Sequence, residues 1–143
     1  MAFAMKMNFV DVVCDDSLKH YYAGGRRMGY QFEIRLGYYR GHFLSVIDEF
    51  AVTVDGQEVP NEAIKFCINE KEFSPNEFDK CYTEFWQIIE PAVIRVFCPG
   101  GLAEGEHTID VKLMFRSPYM AIGPDHAYMP VDSSGSKTLT ITD

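Results

Sequence analysis

Thr108-Ile-Asp-Val-Lys-Leu-Met-Phe115 is the stretch that decides the fold. Ile109, Val111, Leu113 and Phe115 fall on one side; Thr108, Asp110, Lys112 and Met114 fall on the other. That two-residue period belongs to a strand with one face in a core. Tyr30-Gln-Phe-Glu-Ile-Arg-Leu36 repeats it, with Tyr30, Phe32, Ile34 and Leu36 inward. So do Phe50-Ala-Val-Thr-Val54 and Ile64-Lys-Phe-Cys-Ile68. Between those two, Asp55-Gly56 predicts a hairpin turn, because both residues tolerate positive φ. Glu84-Phe-Trp-Gln-Ile-Ile89, Val93-Ile-Arg-Val-Phe-Cys98 and Lys137-Thr-Leu-Thr-Ile-Thr142 also read as strands.

Ser74-Pro-Asn-Glu77 interrupts this rhythm. Ser74 suits an N-cap, Pro75 the first helical position, and Glu77 can close a capping box, so one short helix is predicted. About seven or eight short strands without a βαβ rhythm predict an all-β chain. The expected architecture is an antiparallel β-sandwich, jelly-roll or immunoglobulin-like, with one short helix.

The 143 residues predict a single domain over 1–143. Residues 1–25 are expected as an N-terminal arm. Residues 118–136, rich in Pro and Gly, are expected as a long loop. A net charge of -8 and the lack of any basic run argue against a nucleic-acid partner. No apolar run approaches the ~18 residues of a membrane span. The first residues lack the pattern of a secretory signal, so the cytoplasm is the expected location. Cys14, Cys67, Cys81 and Cys98 include no CxxC pair, and they are expected as reduced, structural thiols.

Candidate chemistry is sparse. His20, His42, His107 and His126 are far apart and show no HxH, HxxxH or HExxH spacing. His107, after Glu104 and Glu106, is expected as a turn histidine with solvated neighbours rather than a metal ligand. There is no GxSxG elbow and no phosphate-cradling glycine pattern before a helix. Neither a catalytic residue nor a metal site is therefore expected in this chain. The tyrosines say more: Tyr21, Tyr22, Tyr38, Tyr39, Tyr119 and Tyr128 fall outside the predicted strands. Tyr, Met and Arg are enriched at the centres of protein interfaces. Their accumulation favours a partner or ligand surface, and Tyr38, Tyr39, Arg40 and Phe43, with Tyr119, Met120, His126 and Tyr128, are the residues expected to form it, as a partner interface if the resemblance below holds.

The run Tyr30-Gln-Phe-Glu-Ile-Arg-Leu-Gly-Tyr-Tyr-Arg-Gly-His-Phe-Leu-Ser45 resembles the small beta subunit of bacterial C-glycoside deglycosidases. Four later pieces agree in order. They are Val54-Asp-Gly-Gln-Glu-Val-Pro60, Glu90-Pro-Ala-Val-Ile-Arg-Val96, Pro99-Gly-Gly-Leu-Ala-Glu-Gly-Glu-His107 and Ser117-Pro-Tyr-Met120. The resemblance implies a β-sandwich that assembles with a larger alpha subunit, itself a TIM barrel holding a divalent metal, Mn²⁺. It implies a hetero-oligomeric lyase that acts on 3-oxo-C-glucosides of flavonoid type. The C–C glycosidic bond would be cleaved by β-elimination, with the base and the metal on the alpha subunit. This chain would then be an accessory subunit, inactive alone. The rival reading is a stand-alone carbohydrate-binding module using Tyr38, Tyr39 or Trp86 as a stacking platform. Trp86, beside Phe85 and near Ile88, is expected to be buried. An independent metal hydrolase is a third reading and would require tight metal binding by the isolated chain.

Overall fold

The structure, a computed structural model, describes residues 5–6, 11–36, 41–87, 90–122 and 127–142. Among them the strands are β1 (Met5–Lys6), β2 (Lys19–Ala23), β3 (Arg26–Ile34), β4 (His42–Phe43) and β5 (Ile47–Val54). There follow β6 (Gln57–Val59), β7 (Ile64–Ile68), β8 (Lys71–Phe73), β9 (Phe85–Trp86) and β10 (Ala92–Phe97). The chain closes with β11 (Glu106–Ile122), β12 (Ala127–Asp132) and β13 (Gly135–Thr140).

Two sheets face each other. One runs β1-β12-β11-β5-β6 and the other β2-β3-β10-β7-β8, with β4-β9 as a small separate pair. β11 is the axis of the first sheet. It pairs β5 on one edge, and on the other it pairs β13 and then β12, end to end. All these pairings are antiparallel, and the β1–β12 pair is parallel. The antiparallel sandwich with one short helix is as the sequence predicts. Among the described residues no helix is long and apolar enough to cross a membrane.

The alternating residues fill the core as expected. Phe32, Ile34, Ile64, Phe66 and Ile94 meet Val52, Ile109, Leu113 and Phe115, all buried. Burying each such side chain is worth about 1.5–3 kcal/mol. Phe66 is the hub of an edge-to-face cluster with Phe50, Phe78 and Trp86, at 5.7, 5.1 and 5.1 Å. Asp55 (φ 51) and Gly56 (φ 82) make the two-residue turn joining β5 to β6. The four cysteines are free thiols.

Several expectations fail. Most of residues 118–136 is strand, since β11 continues to Ile122 and β12 and β13 follow. Its regularity is hidden by a bulge. Ser117 pairs Met129 and Ala121 pairs the adjacent Tyr128, so Pro118, Tyr119 and Met120 have no partner residue on β12. Residues 11–25 are not an arm. Val12, Val13 and Leu18 are buried, and β2 pairs β3. Thus Tyr21, Tyr22, Tyr119 and Tyr128 lie on strands rather than loops. The helix is a 3₁₀ segment, Pro75–Lys80, and Ser74 caps it without a side-chain hydrogen bond. The strand expected over 84–89 is described only as Phe85–Trp86.

Candidate functional site

Of the expected interface, Tyr38, Tyr39, Arg40 and His126 lie outside the described residues. The chain flanking the Tyr38–Arg40 corner is tightly placed. Leu36 is buried, and a Cβ at Gly41 would lie 2.6 Å from the Phe85 ring and from the Trp86 carbonyl. Only glycine lets β4 approach β9 this closely.

β4 and β9 build an aromatic end on the sandwich. Phe43 is 43% exposed. Its ring meets the half-buried Phe85 edge to face at 4.9 Å. Tyr82, just before β9, is exposed as well. Neither Phe85 nor Tyr82 is part of the expected interface, although the position of Phe85 beside Trp86 was a usable signal. Trp86 itself is fully buried and donates from Nε1 to the Glu90 carbonyl at 2.8 Å. It therefore cannot serve as a sugar-stacking platform.

Polar contacts hold this end in place. The Leu44 amide donates to the Glu84 carbonyl at 3.0 Å. The Glu84 carboxylate accepts from Lys71 Nζ at 2.7 Å, and Asn69 donates to the Phe85 carbonyl at 3.2 Å. Its hydrogen bond from Lys71, against a desolvation cost, holds the Glu84 carboxyl below its ordinary range. These contacts tie β9 to the β7–β8 hairpin. On the other side, the buried His42 ring packs on Phe115 of β11 at 4.5 Å. Beyond Phe115, β11 and β12 continue as the hairpin that carries Tyr119, Met120 and Tyr128. Phe43 is thus one residue from the contact that fastens β4 to the base of that hairpin.

His107 is a correction. It is buried on β11 rather than solvated at a turn. Nδ1 lies 2.6 Å from Asp55 Oδ2 and Nε2 lies 2.7 Å from the Ala103 carbonyl. Asp55 Oδ1 also accepts from the Thr108 amide at 2.9 Å. Burial pulls the His107 pKa down, but the bonds to Ala103 and Asp55 outweigh it and the net shift is upward. The bonds from His107 and Thr108 hold Asp55 below its ordinary value. Both nitrogens face acceptors, so the protonated ring fits the site best.

The sign of the pH dependence follows. The histidine contribution is complete below its unfolded pKa of about 6.5 and is lost as pH rises through the raised folded value. The aspartate contribution is present above about pH 4 and is lost as pH falls through the depressed folded value. Asp55→Asn keeps a residue that tolerates positive φ. The thermal midpoint difference between wild type and Asp55→Asn is expected to be greatest between about pH 4 and 6.5 and to shrink on either side. A difference that is flat from pH 4 to 9 would exclude the ion pair.

Among the described residues, no three His, Cys, Asp or Glu side chains gather where they could hold a metal ion.

Residues 9–119 match the family model described as C-glycoside deglycosidase beta subunit. A Eubacterium cellulosolvens protein called C-glycoside deglycosidase beta subunit is 37% identical over 115 residues, 74% of this chain and 78% of that one. A Microbacterium protein called 3'-dehydrocarminate deglycosidase beta subunit is 32% identical over 95 residues, 66% of this chain and 70% of its own length. An Arthrobacter globiformis protein called C-glycoside deglycosidase beta subunit is 28% identical over 109 residues, 76% of this chain and 82% of that one.

Proposed function

The chain belongs to the C-glycoside deglycosidase beta-subunit family, and from that premise we propose that it is the accessory subunit of a cytoplasmic lyase complex. The partner is an alpha subunit with a TIM-barrel fold. The substrate is a 3-oxo-C-glucoside with a flavonoid-type aglycone. The name of the Microbacterium relative, 3'-dehydrocarminate deglycosidase beta subunit, supports an oxidised sugar.

The chemistry suits that substrate. A C-glycosidic bond has no leaving oxygen to protonate, so the paired-carboxylate route of glycosidases does not apply. A 3-oxo group acidifies the C2 hydrogen. A base takes that proton, a C1–C2 double bond forms, and the bond from C1 to the aryl carbon breaks. The aryl carbon ends with a proton. A divalent metal, proposed as Mn²⁺, would supply stabilisation of the charge that develops on the 3-oxo oxygen. Among the described residues of this chain, no three His, Cys, Asp or Glu side chains gather to hold it, and the proposal places it on the alpha subunit.

The observation that carries the reading is family membership together with the aromatic end formed by Phe43 and Phe85. Exposed aromatics on a braced pair of short strands suit a docking surface. Tyr38, Tyr39, Arg40, Tyr119, Met120, His126 and Tyr128 are proposed as the rest of that surface. Co-expression with the alpha subunit is expected to give a stable complex that releases the aglycone from a 3-oxo-C-glucoside. Each subunit alone is expected to be inactive. Full turnover by the alpha subunit alone would remove the accessory role.

A further inference from the structure

At the end of the sandwich away from β4 and β9, the β5–β6 hairpin parts from β10 over a cleft of about 270 Å³. Val54 and Val59 line one wall, Val96 and Phe97 the other, and Leu102 and Tyr30 complete the lining. Tyr30 is 3% exposed. Tyr30 lines the cleft together with Asp55 and Cys98, the two side chains whose charges act on its hydroxyl. Burial pushes the phenol pKa well up, so Tyr30 remains a donor at every physiological pH.

Two histidines fix the segments that border the cleft. His107 ties the hairpin wall to the Leu102 segment, bonding Asp55 of the hairpin turn and the carbonyl of Ala103 beside Leu102. A second buried imidazole, His20, places Nε2 3.0 Å from both the amide nitrogen and the carbonyl oxygen of Leu102. A preformed, mostly apolar cleft with a few polar groups in its lining, here Tyr30, Asp55, Gln57 and Glu58, is how small-molecule sites are built. Its volume falls just under the usual ~300–1,000 Å³, which suits a ligand of one or two rings. Asp55 and Glu58 stand in the lining and repel an anion. Phe97, 52% exposed, gives a ring surface at the mouth.

We infer that this cleft binds a small neutral aromatic molecule carrying one hydrogen-bond acceptor, with the Tyr30 hydroxyl as donor. The site is independent of the docking end, because β11 separates His107 at the cleft from Phe115 beneath β4.

The test is a titration of the isotope-labelled full chain with phenol, followed by amide NMR shifts. Saturable shifts are expected at Gln57, Phe97 and Leu102. Benzoate at the same concentrations is expected to leave them unmoved. Tyr30→Phe keeps the ring and loses the donor, so phenol affinity should fall roughly five- to tenfold. Ala63→Trp fills the cleft and should abolish the shifts. Unmoved cleft amides up to the solubility limit of phenol would overturn the site. Equal affinity in Tyr30→Phe would overturn the assigned donor. Were Tyr30→Phe not to fold, persistence of the shifts in Ala63→Trp would overturn the site by itself. Shifts seen only when the partner subunit is added would assign the cleft to a partner side chain, which also overturns the inference.

Discussion

Gly29→Ala is expected to lower the thermal midpoint by roughly 10–15 °C, corresponding to a loss of about 3 kcal/mol or more. Gly29 sits on β3 between two neighbours, paired to Phe97 of β10 and Tyr21 of β2. A Cβ there would lie 1.9 Å from the Val96 carbonyl oxygen and 2.9 Å from the Cys98 amide nitrogen. Both are backbone atoms, so no rotamer change can give way. The Cys98 amide also donates to the Met28 carbonyl at 2.9 Å, which locks the two strands together at this point. Relief requires β3 to move from β10, and β10 is the middle strand of its sheet. Gly24→Ala is the useful contrast. Gly24 has φ 58 and nothing within 4 Å of an added Cβ. Its substitution should cost only the left-handed penalty, about 1 kcal/mol. A midpoint for Gly29→Ala no lower than that of Gly24→Ala would refute the packing argument.

The contrast shows what sequence can and cannot disclose. Ile109 to Phe115 and Tyr30 to Leu36 announce their faces because the period of a strand is local. Asp55-Gly56 announces its turn for the same reason. Gly29 carries no such signal, since its constraint comes from Val96 across the sheet. The buried histidines are similar. Spacing among His20, His42 and His107 matches no metal pattern, and their partners include Leu102, Ala103, Asp55 and the ring of Phe115. These are backbone atoms or residues far along the chain, which spacing does not reveal. The hairpin of β11 and β12 is hidden in the sequence for another reason. Pro118 lies in a bulge and Pro130 pairs Arg116, so two residues that usually mark loops stand inside strands. At the aromatic end, Phe43 is legible in the sequence, whereas Phe85 and Tyr82 join it through folding.

Phe43→Asp is expected to weaken assembly with the alpha subunit by roughly 30- to 1,000-fold while leaving this chain folded. A central aromatic anchor at an interface is worth about 2–4 kcal/mol, which converts to that range. The fold should survive because Phe43 is 43% exposed and its main ring contact is Phe85. The new carboxylate adds desolvation cost at a surface that must lose water on docking. Complex activity at low subunit concentration should fall in step with assembly. Raising the partner concentration should restore it, because a docking residue acts on the fraction assembled and not on the bond-breaking step. A residue that shaped the reacting groups would show the opposite pattern, with low turnover at saturating partner. Tyr22→Ser is the matched control. Tyr22 is 49% exposed on β2, an edge strand of the β2-β3-β10-β7-β8 sheet, where its hydroxyl accepts from Arg27. Its removal should leave assembly within about twofold, the ordinary consequence of a surface change away from an anchor. Equal assembly by wild type and Phe43→Asp would move the docking surface away from β4. Weak turnover that excess partner fails to rescue would instead place Phe43 among the groups that shape the reaction.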